Sequence, residues 1–263
     1  RYKFVKGDIC DAKTVAKIVK DCDTIVHFAA ESHVDRSIVD ASEFIRTNIH
    51  GTYVLLEEAK KNKISLFCHM STDEVYGSRN EGFFKETDAL KPSSPYSASK
   101  AAADHIVHSY YITYNLPVTI VRPTNNFGPF QYPEKVISLF ITNALKGKKL
   151  PVYGDGQNVR DWIYVLDNCA AIDFIIHKGK PGEIYNVAGN NEMKNIDLTR
   201  LILKMMNKPE DLIEFVKDRP GHDRRYALDS AKIEKLGWKP HHNFKQALEE
   251  TVEWYRSNLE FSR

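Results

Sequence analysis

The chain has 263 residues, 42% of them hydrophobic and 27% charged, and its 37 Lys and Arg against 35 Asp and Glu leave a formal net charge of +2. That is enough apolar material for one large or two modest globular domains, and basic residues scattered at near neutrality offer no stripe for nucleic acid. No run approaches the roughly 18 apolar residues of a membrane span. The opening RYKFVKGDIC also lacks an apolar stretch ending in a small-residue cleavage site, so the expectation is a cytoplasmic protein with no membrane partner.

In chain order, apolar runs alternate with helical patterns. YKFV (2–5) precedes DAKTVAKIVKD (11–21), and DTIVHFAA (23–30) precedes SEFIRTNIHGTYVLLEEAKKN (42–62). ISLFCHM (64–70) precedes YSASKAAADHIVHSYYITYN (96–115), and PVTIVRP (117–123) closes the series. Four strand-like runs separated by three helical patterns imply βαβ crossovers and a parallel sheet covered by helices on both faces. Runs that are apolar throughout, rather than alternating, suit strands buried on both sides. The expected fold is α/β, a doubly wound parallel sheet of Rossmann-like type. Beyond Thr124 the pattern loosens into loops, short strands and helical stretches near 134–146, 167–177, 195–207 and 243–258. This predicts a smaller α+β lobe, with residues 1–123 and about 161–178 in the first domain and 124–160 and 179–263 in the second.

Cys10, Cys22, Cys68 and Cys169 are far apart, with no C-x-x-C pair and no histidine at metal-ligand spacing. Four reduced thiols packed in or near the core are expected, with no disulfide and no metal.

In open parallel sheets ligands sit beyond the carboxyl ends of the strands. The four runs here give way to GDICD, AAESHVDRS, STDEVYG and RPTNNFGP, each small, polar or ionisable. Four such segments in step predict one site lined by strand ends. The third holds Asp73 and Glu74 side by side, and an isolated acid pair in a turn would simply be solvated. Its company argues otherwise. One crossover later comes PSSPYSASKAAAD, where Ser94 and Pro95 make a capped helix start and Tyr96 and Lys100 fall four apart on one helix face. A phenol is a poor base near neutrality unless a cation favours its anion, and Lys100 can supply that cation.

The combination of GDICD, HFAAESHVDRS, STDEVYG, YSASK, RPTNNFGPFQYPEK, GDGQNVRDWIYV and DRPGHDRRYALD closely resembles the dTDP-glucose 4,6-dehydratases of the extended short-chain dehydrogenase/reductase superfamily. The resemblance runs from Tyr2 to about Tyr255. It implies oxidation of a sugar C4 hydroxyl with NAD, elimination of water across C5 and C6, and return of hydride to C6. By the same resemblance Tyr96 takes the C4 hydroxyl proton with help from Lys100 and Thr72, Glu74 removes the C5 proton, and Asp73 protonates the departing C6 hydroxyl. Neighbouring carboxyls whose titrations push apart would suit one base and one acid.

The resemblance further implies cofactor contacts at Asp8, Ile9, Ala29, Ala30, Ser32 and Asn125 as well as Tyr96 and Lys100. It implies substrate contacts at His33, Thr72, Asn126, Lys135, Tyr153, Arg160, Asn191, Arg219 and His222, with the arginines suited to a diphosphate. Thr47 and Asn48, inside a helix, read equally well as structural polar residues. The helices near 42–61 and 96–115 carry Tyr53, Leu56, Tyr110, Tyr111 and Tyr114 over more than one face, which with the resemblance implies a C2 homodimer.

One departure stands out. The strand, Gly-rich turn and helix that open such folds have no counterpart here; the nearest match, GDGQNV (154–159), fails at Val159 and comes after the wrong kind of segment. The expected sheet is therefore N-terminally incomplete, and a polypeptide of this sequence alone is expected to be inactive, poorly soluble and unable to retain NAD. Two readings stay open beside the dehydratase: a nucleotide-sugar 4-epimerase, and a non-catalytic sugar-nucleotide-binding remnant. The base of the nucleotide also stays open, with dTDP favoured.

Overall fold

Asp11 opens the first helix, α1 (Ala12–Val19), by accepting the Lys13 N–H at 3.0 Å and the Thr14 hydroxyl at 2.6 Å. The face so started buries Val15 and Val19 against α4 (Thr52–Lys61). In this computed structural model, which describes residues 2–262, the chain divides into two units. One comprises the residues up to Tyr76 with Ala89–Arg122 and Phe174–Tyr185; the other comprises Gly77–Asp88, Pro123–Asp173 and Asn186 onward.

The first unit is built on strands β1 (Thr24–His27), β2 (Leu66–Met70) and β3 (Val118–Pro123), paired in parallel with Thr24 opposite Leu66 and Phe67 opposite Val118. A further strand, Ile184–Val187, comes after β3 in the order of the sheet. Phe67, Cys68 and His69 are buried in succession, so β2 is covered on both faces, as its unbroken apolar run requires. Helices α2 (Val34–Val39), α3 (Ser42–Phe44) and α4 lie between β1 and β2, and α5 (Pro95–Tyr114) lies between β2 and β3. Leu56, Phe67, Val107 and Ile120 form the centre of the packing.

Three expectations need correction. YKFV is not a strand: Tyr2 and Phe4 are 89% and 73% exposed, because apolar residues make a strand only where a neighbouring backbone ladder exists, and among the described residues none lies on the outer edge of β1. The helix expected over 42–62 is three pieces, α3, a π-helical segment Ile45–Gly51 and α4. At their junction the Thr52 hydroxyl donates to the Asn48 carbonyl at 2.6 Å. The cysteines are not all in the core; Cys68 is buried and Cys10 partly so, whereas Cys22 in the turn before β1 and Cys169 on a helix surface are exposed.

The second unit holds β4 (Asn125–Phe127), α6 (Val136–Leu145), β5 (Leu150–Tyr153), β6 (Val159–Tyr164) and most of α7 (Val165–Lys178). The strand Ile184–Val187 (β7) ends within it. It continues through β8 (Glu192–Lys194), α8 (Asn195–Met205), β9 (Ile213–Val216), α9 (Ala231–Leu236) and α10 (Phe244–Ser257). β4 runs parallel to β6, β6 antiparallel to β8, and β5 parallel to β9. Ile141, Leu150, Leu198, Leu248 and Tyr255 fill its core. Among the described residues no helix is long and apolar enough to cross a membrane.

Two buried histidines sit on adjacent strands, the rings of His27 and His69 lying 5.3 Å apart. Burial, and then the Lys100 charge, lowers His69 from 6.5 to about 4; burial lowers His27 well below its ordinary range too, helped by the charges of His69 and Lys100. An unfolded chain binds these protons near pH 6.5 and the folded chain resists them, so stability rises with pH across that window and falls as the pH drops toward 4. The melting temperature should therefore decline steadily between pH 6.5 and 4, and His69→Gln should flatten the decline, as read by circular dichroism at a series of pH values.

Candidate active site

The end of β2 and the start of α5 bring the acid pair and the tyrosine together. Ser94 caps α5 by accepting the Ser97 N–H at 3.1 Å while the Ser97 hydroxyl accepts the Ser94 N–H at 3.0 Å, with Pro95 in the first turn. The Tyr96 N–H donates to the Ser37 hydroxyl at 3.1 Å, which ties that first turn to α2. Beyond β2, Asp73–Tyr76 form one 3-10 turn. The Thr72 hydroxyl accepts the Glu74 N–H at 3.3 Å, donates to Asp73 at 3.2 Å, and shares a hydrogen bond with the Tyr96 phenol. Asp73 is 1% exposed and Glu74 half-buried.

The electrostatics differ from the simple expectation of a cation-assisted phenol. Burial, then the Glu74 charge, pushes the Tyr96 phenol far above its ordinary value; only the Thr72 hydrogen bond acts strongly the other way. Lys100, 4% exposed, donates to the Met70 carbonyl at 2.5 Å, and burial lowers it to about 8 against the raising effect of Asp104. With a single proton on its hydroxyl, Thr72 can donate to Asp73 while the tyrosine is a phenol and turn to Tyr96 when it is a phenolate.

The loop after β1 is held by one side chain. Asn48, buried in the π-helical segment, accepts the Glu31 N–H at 2.9 Å, donates to the Glu31 carbonyl at 3.0 Å and to the Ser99 hydroxyl at 2.8 Å. This fixes the backbone between Ala29–Ala30 and Ser32–His33, where small side chains leave room for close approach. His33 caps α2, its Nδ1 accepting the Arg36 N–H at 3.4 Å. Asp8 accepts the Cys10 N–H at 2.8 Å and pairs with Arg46, and the Cys10 bond foremost lowers its carboxyl. Ile9 packs on Gly51, where a Cβ would come within 2.5 Å of it.

In the second unit, Tyr153, Arg160, Arg219 and His222 converge. The His222 ring stands edge-on to Tyr153 at 6.0 Å, and burial, then the charges of Arg219 and Arg160, lowers its titration. Arg160 donates to the Asp223 carbonyl at 2.8 Å and to the Val159 carbonyl at 2.7 Å, its guanidinium 4.1 Å from the Tyr226 ring centre. Asn191 is placed by Asp161, whose carboxylate accepts the N–H groups of Gly189, Asn190 and Asn191 at 2.9, 3.2 and 2.5 Å. A Cβ on Gly189 would lie 2.0 Å from the Trp162 carbonyl oxygen. Lys135 precedes α6 in extended conformation. Asn125 and Asn126 each present a buried Oδ1 with no protein partner. Residues 154–158 join β5 to β6, with Gly154 and Gly156 at positive φ, which is a strand-to-strand turn and no strand-to-helix cradle.

Of the two readings the sequence left for Asn48, the structure shows the structural one, an amide that braces a loop. Asp104 escaped sequence reasoning: it lies one turn beyond Lys100 and two beyond Tyr96, a lone acid after three alanines.

A parallel helix-covered sheet with an acid pair and a tyrosine–lysine helix at its strand ends defines a chain of the extended short-chain dehydrogenase/reductase type. More narrowly, the chain belongs to the GDP-mannose 4,6 dehydratase family, whose model matches residues 1–251. It is 52% identical over 254 residues to the low-salt glycan biosynthesis protein Agl12 of Haloferax volcanii, covering 97% of this chain and 82% of that protein. It is 50% identical over 258 residues to a dTDP-glucose 4,6-dehydratase of Streptomyces niveus, covering 98% and 77%. The crystal structure of the Streptomyces venezuelae dTDP-glucose 4,6-dehydratase DesIV, with NAD bound, superposes with a TM-score of 0.97 at 48% identity, covering 98% of this chain and 81% of that one.

Removing the Asn48 amide strands the Glu31 N–H and carbonyl and the Ser99 hydroxyl together. Asn48→Ala should cost about 2 kcal/mol or more of folding stability, read as a lower urea midpoint at unchanged slope.

Proposed function

We propose that this chain carries out NAD-dependent 4,6-dehydration of a nucleotide-activated glucose, dTDP-glucose giving dTDP-4-keto-6-deoxyglucose. The observation that carries the reading is the packing of Thr72, Asp73 and Glu74 around the buried Tyr96 phenol, a set that an epimerase or a simple binder does not require. The residues of the first unit fit the cofactor: the small-residue loop held by Asn48 admits a close backbone approach. There Asp8, Ile9, Ala29, Ala30, Ser32, Tyr96 and Lys100 would hold NAD. When bound, NAD supplies the site that accepts hydride from C4 and returns it to C6.

The chain's own groups then move the protons. Tyr96, as the phenolate that the Thr72 hydroxyl stabilises, takes the proton of the C4 hydroxyl, and Thr72 turns back to Asp73 once the phenol has formed. Oxidation makes the C5 hydrogen acidic, and the half-buried Glu74 removes it as a carboxylate. Asp73, in its acid form, protonates the C6 hydroxyl, which leaves as water. Lys100, ammonium-charged below about pH 8, supports the phenol from the turn beneath. In the second unit the Arg160, Arg219 and His222 group attracts the diphosphate, with Tyr153, Lys135 and Asn191 beside the nucleotide and Asn126 toward the sugar. Because Arg160 already donates to the Val159, Asp223 and Arg224 carbonyls, its contribution is mainly charge.

A homodimer through α4 and α5 goes with this reading. Leu56 and Tyr110 turn inward and are buried, but Tyr53, Ile112 and Tyr114 stand exposed, Ile112 at 64%. Such apolar surface on two neighbouring helices suits a two-fold partner.

Glu74→Gln should lower turnover of dTDP-glucose on the order of 10²-fold or more. It should also abolish deuterium entry at C5 from heavy water, measured by mass spectrometry of the sugar. Undiminished exchange at C5 would remove Glu74 from the role of base, and a C4-inverted hexose as product would replace dehydration by epimerisation. Tyr114→Glu should shift the species seen by light scattering from dimer to monomer; a wild-type monomer would remove the dimer.

A further inference from the structure

Behind Lys100 lies a buried set of charged and titratable groups that the proposed proton transfers do not use. Asp104, 2% exposed, comes four residues after Lys100 on α5, so the two share a helix face. Its Oδ2 accepts from Arg122 Nε at 2.8 Å and its Oδ1 stands 3.5 Å from His69 Nε2. Arg122 in turn donates to the Tyr76 hydroxyl at 2.7 Å, at the end of the turn that carries Asp73 and Glu74.

We infer that Asp104, anchored by Arg122, is a positioning residue that keeps the Lys100 amine an ammonium, locked on the Met70 carbonyl and ready to support Tyr96. The inference deepens the proposed reading and rests on it for what Lys100 does, though not for what Asp104 does to the amine.

Charge balance in a dry interior decides the state of the amine. The titratable groups whose charges meet Lys100 are Asp104 on its own helix, His27 on β1 and His69 on β2, with Arg122 of β3 behind Asp104; Tyr96 lies one turn before Lys100 on α5, and the Asp73–Glu74 pair acts on that phenol. The two histidines are held neutral by burial and so repel the amine little near neutral pH. Burial favours the neutral amine, and Asp104 is the group that opposes it. Burial would also neutralise Asp104, but the neighbouring His69 ring, its Nε2 3.5 Å from Oδ1, and the Arg122 charge hold its carboxyl below the ordinary range. Arg122 thus acts on Lys100 through Asp104: it keeps the carboxylate charged and its oxygens directed. A neutral amine at position 100 would withdraw the one cation on the helix face of Tyr96.

The direct test is the titration of the Lys100 side chain, monitored by ¹³C and ¹⁵N resonances in the labelled full chain and assigned by their loss in Lys100→Arg. The wild-type amine should be charged at pH 7; a neutral amine there overturns the inference. In Asp104→Asn the midpoint should fall by about one pH unit or more, whereas Asp104→Glu, which keeps the charge, should recover most of the loss. If Asp104→Asn does not fold, Asp104→Leu with Arg122→Met removes the ion pair as a unit, a change buried pairs tolerate, and should lower the midpoint in the same direction by a smaller amount. An unmoved midpoint in either folded variant overturns the inference. Turnover of dTDP-glucose against pH is the second arm: its alkaline limb should move down with the amine in Asp104→Asn. Wild-type protein that does not turn over the sugar removes the proposed function, while the amine titration still decides the role of Asp104.

Discussion

A positive charge taken out of water governs the first unit. Lys100 is almost wholly enclosed, and its ammonium has one close backbone acceptor, the Met70 carbonyl at the end of β2. An ion so placed is tolerated only where hydrogen bonds and opposite charge meet it. That requirement fixes the rotation of α5 about its axis, because the helix must present Lys100 to β2 and Asp104 to Arg122 of β3 at once. With the rotation fixed, Tyr96 one turn earlier is delivered to Thr72 and the acid pair. The Ser94–Ser97 cap then sets the start of the helix, so that Tyr96 sits in the first turn, not deep in the helix.

A second device does for the loop after β1 what Lys100 does for α5. The π-helical widening at Ile45–Gly51 carries Asn48, whose amide bridges the Glu31 backbone to Ser99 on α5. One side chain thereby couples the two segments that would flank a bound dinucleotide. π-Helical insertions are energetically poor on their own and often mark functional positions. Here the amide's three hydrogen bonds explain why the irregularity is kept.

The sequence conveyed the alternation of strands and helices because doubly buried parallel strands are apolar at every position, and it conveyed the strand-end site because polar residues cluster just where those runs stop. The acid pair and Tyr96–Lys100 came into view together through their places at a strand end and one crossover later, and their roles through the family resemblance. YKFV misled because apolarity reports burial potential and says nothing of the partner edge a strand needs. The break within 42–62 was invisible since π and α segments share their residue preferences. Tyr53, Leu56, Tyr110, Tyr111 and Tyr114 were read as spread over more than one helix face, and helical periodicity shows which residues group together but not which of them turn inward, as Leu56 and Tyr110 do. The phenol's environment was misjudged for a similar reason: spacing places a lysine next to a tyrosine but does not reveal the carbonyl that claims its amine.

Gly189 has a bearing on how such a site can diversify. Its backbone presses so closely on the Trp162 carbonyl that no side chain fits, and Asp161 gathers the N–H groups of residues 189 to 191 into one fixed curl. Asn191 closes the curl with its own side chain, whose amide donates to the Trp162 and Gly189 carbonyls at 3.1 and 2.7 Å, so the bend is a rigid mount that includes its last residue. In directed evolution, libraries that randomise 189 and 161 should be dominated by misfolded clones, leaving the useful variation at positions outside the mount.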